Sequence, residues 1–284
     1  DLLAAFLCDD GLPIDESPKF NPRNPFANRD PRCTKTIVEF GTVHCGYEYQ
    51  PRMDVDKVMN YWTGAMQSNQ DNRLVATYAS YNGLIWKKGI DDSWLNEEGK
   101  KQDNLNETDY IIMRYADVLL MYAEAKIELG EIDQSVLDAI NTVRARAYGV
   151  DKSATAAYPS VTGTDQATLR KSVRIERRME FAKEDLRYMD VIRWGLWEKA
   201  LNRYNYINLD PNECLEKIVN KDLWLWAETP QVDEDGLADF APLFEKGYCA
   251  RGALRTFPAH QVLWPIPTYE RLQTNNNLDQ NPGY

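Results

Sequence analysis

The chain has 284 residues, 43% hydrophobic and 27% charged, ordinary values for a globular protein long enough to bury a substantial core. Its 33 basic and 44 acidic residues leave a net charge of −11, which argues against nucleic acid as the main partner, because phosphate binding needs a positive surface, and disfavours a polyanionic substrate unless a local basic patch overcomes the average. Two histidines, His44 and His260, and five scattered cysteines without a CxxC pair exclude a zinc ribbon or a thioredoxin-type site.

The opening DLLAAFLCDDGLP has no initiator methionine, signal peptide or lipidation motif, and reads as the start of a mature or truncated product. Residues 9–32 hold five prolines among Asn and Asp, which is turn chemistry. Within it Arg29, Asp30 and Arg32 are expected to tie down a turn by ion pairs. TKTIVEFGTVH (34–44) is β-branched and predicts a short strand pair. In a strand the adjacent His44 and Cys45 point to opposite faces, which argues against a Cys-His nucleophile. Residues 61–109 are polar and studded with aromatics, and read as long loops with a hairpin.

YIIMRYADVLLMYAEAKIELG (110–130) is apolar nearly all round, with Arg114, Asp117, Glu124 and Glu128 in one narrow stripe. It predicts a helix buried on most sides. Gly130 supplies the stop and Asp133 the N-cap of a second helix over 133–147, so the two lie antiparallel. A second pair is predicted over about 166–184 and 186–203, where Ile175, Met179, Ala182 and Leu186 keep one apolar stripe in phase. The expected fold is mainly α: tetratricopeptide-like helix pairs with long irregular loops and a few short strands. Beyond residue 204, Trp224 and Trp226 share a strand face, either as core or as a second binding platform, and the Pro- and Asn-rich tail reads as an extended strap.

RIERRMEFAKEDLRYMDVIRWG (174–195) stacks Glu176, Glu180 and Glu184 in one row on a helix. Such a row suits a metal site, an acid/base pair or a brace. No Glu-x-x-His accompanies it, and catalytic carboxylates sit more often in apolar isolation, where their pKa can rise. Arg177, Lys183 and Arg187, spaced to compensate the glutamates, and Asp190 between Arg187 and Arg193 make a structural ion-pair lattice the expected reading.

The motifs FANRDPRC, DYIIMRYADVLLMYAEAKIELG, INTVRARA, IERRMEFAKEDLRYMDVIRWG and LWPIP…NNNLDQNPGY occur in the order seen in the SusD/RagB family, which the chain therefore resembles. The resemblance covers residues 1–284 as one C-terminal region, with a helical core at about 110–203 and loop-rich parts at 1–109 and 204–284. Members usually carry a further N-terminal half with a lipoprotein signal, which this sequence lacks, and many have glycine where Asp185 stands. The resemblance implies a lipid-anchored protein of the outer-membrane surface of a Bacteroidetes-type bacterium, its anchor not present in this chain. It implies binding of glycans or, in some members, peptides, a SusC-like TonB-dependent transporter as partner, no cofactor and no catalysis.

Those motifs match scaffold positions, so binding residues must come from this sequence. Sugars offer apolar CH faces and hydroxyl edges, which call for exposed rings beside amides and charges. Tyr61 and Trp62 precede Asn69, Asn72 and Arg73, and Trp94 sits in a polar loop; these six are the candidate ligand residues. The alternative is that such rings staple the loop to the helices. Trp86, Trp194 and Trp264 are expected to be packed. A peptide adaptor using the helix stack is a rival reading, as is a glycoside hydrolase, which needs two carboxylates roughly 5–10 Å apart in a cleft.

Overall fold

The computed structural model describes residues 1–91, 109–223, 226–275 and 277–284. Two short helices, α1 (Leu2–Ala5) and α2 (Arg32–Thr36), bracket the proline-rich loop. Buried Arg29 donates to the carbonyls of Leu3, Phe6 and Pro25 at 2.6 Å and of Leu7 at 3.5 Å, so one guanidinium satisfies backbone that has no ladder. Residues 34–36 belong to α2 and not to the strand pair predicted there. Asp30 Oδ1 accepts the Arg32 N–H at 2.9 Å and holds that turn helical against its β-branched composition.

Four strands follow, β1 (Thr42–His44), β2 (Tyr47–Tyr49), β3 (Lys57–Asn60) and β4 (Ala65–Ser68), forming an antiparallel sheet in that order. The β1–β2 turn places Cys45 at φ 50° and Gly46 at φ 76°, the two positive angles a tight twisted hairpin requires. That turn overturns the opposite-face expectation: Cys45 Sγ lies 3.4 Å from His44 Nε2. The β3–β4 hairpin, with Tyr61–Gly64 as its turn, starts at Lys57, ahead of the segment 61–109 in which a hairpin is expected.

Helix α3 (Tyr115–Leu129) starts five residues later than its apolar run, because Arg114 is extended and its guanidinium is drawn to Glu180 and Glu184. Only the face of Leu120, Ala123 and Ile127 is buried; Tyr115, Val118, Met121, Tyr122 and Leu129 are exposed among the described residues, against the predicted burial on most sides. Gly130, at φ 72°, donates to the Ile127 and Lys126 carbonyls and ends the helix. Asp133 then caps α4 (Gln134–Tyr148), accepting the Ser135 N–H at 2.8 Å. α5 (Gln166–Glu180) is capped by Asp165 and stops before residue 184, since Lys183 (φ 62°) and Asp185 (φ 59°) leave right-handed space; α6 (Arg187–Arg193) and α7 (Trp197–Leu201) replace the single helix predicted over 186–203.

Helix α5 touches two cores. Leu169 and Val173 pack with Leu120, Ile127, Val136 and Ile140 of the α3–α4 pair, while Ile175 and Met179 pack with Leu3, Phe6, Ile14 and Cys33 of the N-terminal loop. The remainder is short elements: β5 (Tyr204–Ile207), α8 (Pro211–Lys217), β6 (Gln231–Val232), β7 (Ala238–Asp239), α9 (Ala241–Glu245), β8 (Ala250–Leu254) and α10 (Thr268–Gln273), with β5 paired to β8 and β6 to β7. Trp226 is buried in the N-terminal core, which decides its reading as core; Trp224 lies outside the described residues. Trp264 is 71% exposed and not packed as expected, and the tail bonds mainly to itself, Gln280 bridging both sides of Ile266. No disulfide joins the cysteines, and no described helix is long and apolar enough to cross a membrane.

Candidate functional site

The glutamate row is buried and saturated. Glu176 accepts from Arg32 at 2.6 Å and from Arg144 at 3.0 and 2.9 Å; Glu180 accepts from Arg32 at 2.9 Å, Arg114 at 2.5 Å and Arg146. Glu184, beyond the end of α5, takes Arg114 and Lys88. Burial would raise the Glu180 carboxyl, but the guanidiniums of Arg32, Arg114 and Arg146 together hold it below the usual carboxylate range. The lattice expectation therefore holds, although its partners come from other elements and not from the helix itself. Arg177 turns to Asp117 at 2.7 Å and Asp190 at 3.0 Å, Lys183 to the Lys88 carbonyl, and Arg187 to neither predicted acid. Among the described residues no group of three His, Cys, Asp or Glu side chains is placed to hold a metal.

The aromatic loop is built differently. Asn60 at the end of β3 accepts the N–H groups of Trp62 at 2.9 Å and Thr63 at 3.2 Å, which fixes the hairpin turn. The Trp62 ring packs edge-on against Tyr47, with centroids 5.1 Å apart, and lies over Gly46, where an added Cβ would meet it at 2.1 Å. Trp62 is thus half-buried and serves as a staple, while Tyr61 next to it is 55% exposed.

Asn69 and Asn72 have no exposed surface. Asn69 donates to the Gln50 and Val55 carbonyls, both at 2.7 Å, and accepts from Asp71 N–H at 3.0 Å. Asn72 donates to Met53 at 3.2 Å and Val55 at 3.1 Å and accepts from Leu74 N–H at 2.8 Å. The bonded positions of both amides face backbone and not solvent. They frame the loop. Arg73 donates to the Leu209 carbonyl at 2.8 Å, and its guanidinium lies 4.9 Å from the Tyr81 ring centroid. Tyr81 and the fully exposed Tyr78 present rings that sequence reasoning passed over, although YASYNG carries two rings among small residues with no apolar period to bury them. Trp94 lies outside the described residues. Trp86, expected to be packed, is 42% exposed.

This frame has known counterparts. The chain is 28% identical to a SusD-like carbohydrate binding protein from Bacteroides fragilis, covering 96% of this chain and 46% of that one with a TM-score of 0.62. A second SusD-like structure from Bacteroides fragilis, at 23% identity and a TM-score of 0.59, shares the fold. Among curated proteins, SusD-like protein P2 of Formosa agariphila is 31% identical over 210 residues, 74% of this chain and 30% of that protein. SusD-like protein P25 of the same organism is 33% identical over 133 residues, 46% of this chain and 22% of its own length. The chain thus spans under half the length of the relatives it matches. The SusD family model matches residues 1–284, the loop-rich and helical parts alike, and to that family the chain belongs.

Proposed function

We propose that the chain is part of a non-catalytic, cell-surface nutrient-binding protein that takes an oligosaccharide on the loop of residues 61–81 and hands it to a SusC-like TonB-dependent transporter. Its place is the outer-membrane surface, held by a lipid anchor outside residues 1–284. The observation that carries the reading is the exposure of Tyr61, Tyr78 and Tyr81 on a loop whose Asn69 and Asn72 amides face inward. Rings held on a rigid frame lose little freedom when a sugar face packs on them, and Arg73 beside Tyr81 supplies charged donors for hydroxyls. In this reading Trp62 supports Tyr61, Trp94 adds a further ring, and Asn69 and Asn72 hold the shape. Similarity to a solved carbohydrate binding protein supports the same ligand class.

A hydrolase would need a carboxyl able to protonate a leaving group. Glu176 and Glu180, the pair sharing Arg32, are saturated by guanidinium donors and buried. The test is calorimetric titration against a glycan panel, with reducing ends assayed in parallel. Binding without new reducing ends, weakened roughly threefold to tenfold in Tyr81→Ala, is expected. Release of reducing ends would replace binding with hydrolysis, and unchanged affinity in Tyr61→Ala and Tyr81→Ala would move the site off this loop.

A further inference from the structure

Tyr81 owes its backbone and its ring to different supports. The backbone sits in the turn Ser80–Gly83, closed by the Gly83 N–H on the Ser80 carbonyl at 3.1 Å. Ser80 Oγ donates to the Leu84 carbonyl at 3.0 Å, and Asn82 Oδ1 accepts the Leu84 N–H at 3.0 Å, which locks the turn from both sides. The ring projects outward, 63% exposed. Among the described residues its one charged or hydrogen-bonding partner is the Arg73 guanidinium, 4.9 Å from the ring centroid.

Arg73 is itself held at both ends. Its backbone follows Asn72, whose carbonyl accepts the Val75 and Ala76 N–H groups at 2.9 and 2.8 Å. Its Nη1 donates at 2.8 Å to the carbonyl of Leu209, a buried residue packed with Met53, Cys214, Ile218 and Val219. A line of contacts thus runs from that core through Leu209 and Arg73 to one face of the Tyr81 ring, and the opposite face is left for a ligand. A tyrosine on a surface turn otherwise moves between rotamers and gives up that freedom when a sugar packs on it. Cation–π stacking removes part of the freedom beforehand.

We infer that Arg73 is a positioning residue: it holds the Tyr81 ring in one orientation, so that saccharide stacks on the single face turned away from the guanidinium. The inference rests on the saccharide reading above and adds to the donors of Arg73 a role exerted through the ring.

The probe is the tightest binder among glucose, xylose, galactose and mannose trisaccharides, titrated into the protein, Arg73→Met, Arg73→Lys, Tyr81→Ala and the double variant Arg73→Met/Tyr81→Ala. Arg73→Met keeps a long side chain without the charge or the donors, and should weaken binding about threefold to tenfold, as Tyr81→Ala does. The double variant should lose little more than either single one, because a residue that acts through Tyr81 then has nothing to act on. Arg73→Lys can still stack on the ring and reach a carbonyl, and should recover part of the loss. In protein isotopically labelled at its tyrosine rings, Arg73→Met without ligand should move the Tyr81 signals toward those of a free tyrosine and leave those of buried Tyr158 in place. Losses that multiply in the double variant would make Arg73 a direct ligand contact and overturn the positioning role. Unchanged affinity in Arg73→Met or Tyr81→Ala, or unmoved Tyr81 signals, would overturn it too. Each of these outcomes leaves the saccharide reading standing, whereas a protein that binds none of the four probes loses both together.

Discussion

The ion-pair lattice on α5 and the hairpin loop after β3 both bury polar side chains against partners: Glu176 and Glu180 against arginines, Asn69 and Asn72 against backbone. Around α5, Glu176 and Glu180 are enclosed by four arginines from three other segments: α2, the residue before α3, and α4. In the loop, Asn69 and Asn72 do the enclosing, and rings are left outside. The difference teaches that a polar residue in a polar stretch says little about ligands. What matters is whether its hydrogen-bonding positions are already filled, and which apolar surface the filling leaves exposed.

The comparison can be broken most forcefully at Glu180. Glu180→Gln leaves Arg32, Arg114 and Arg146 without their shared charge and should cost about 3–5 kcal/mol in chemical denaturation, with saccharide affinity unchanged. Because the folded carboxyl is held below the reference of 4.5, its stabilisation is complete above that pH and is lost as pH falls toward the folded value. The wild type should therefore lose stability on acidification where the variant's curve is flatter. Gly46→Ala, forced into positive φ and into the Trp62 ring, should cost about 2–4 kcal/mol and shift the Trp62 emission. Asn69→Ala should cost about 1–3 kcal/mol by orphaning buried carbonyls, while Tyr61→Ala changes stability by under about 0.5 kcal/mol and still weakens saccharide binding. If Asn69→Ala is stable and Tyr61→Ala is not, frame and platform are reversed. Asp185→Gly relieves a left-handed backbone and should stabilise by up to about 1 kcal/mol, read as a small rise in Tm.

The helix pair α3–α4 was legible because its punctuation is local: Gly130 and Asp133 act on backbone within a turn of themselves. The break after α5 was not, because the apolar phase runs on through Ala182 and Leu186 while two charged residues, Lys183 and Asp185, take the angles usually given to glycine. The nature of the glutamate row could be read from its neutralising neighbours, yet the identity of its partners could not. Arg32 and Arg144 lie far away in sequence, and long-range pairing leaves no local period. Of the candidate site, Tyr61 and Arg73 keep accessible surface, but Asn69 and Asn72 look the same in sequence whether they face a sugar or a carbonyl.

Helix α5 lends one side to the α3–α4 core and the other to the N-terminal core, and its glutamates pin α2 and α4 to it as well. A helix shared in this way leaves no seam along which one part can melt while the other stays folded. Calorimetric and van't Hoff enthalpies of this chain should then agree, and amides on both flanks of α5 should exchange with solvent through a common global opening.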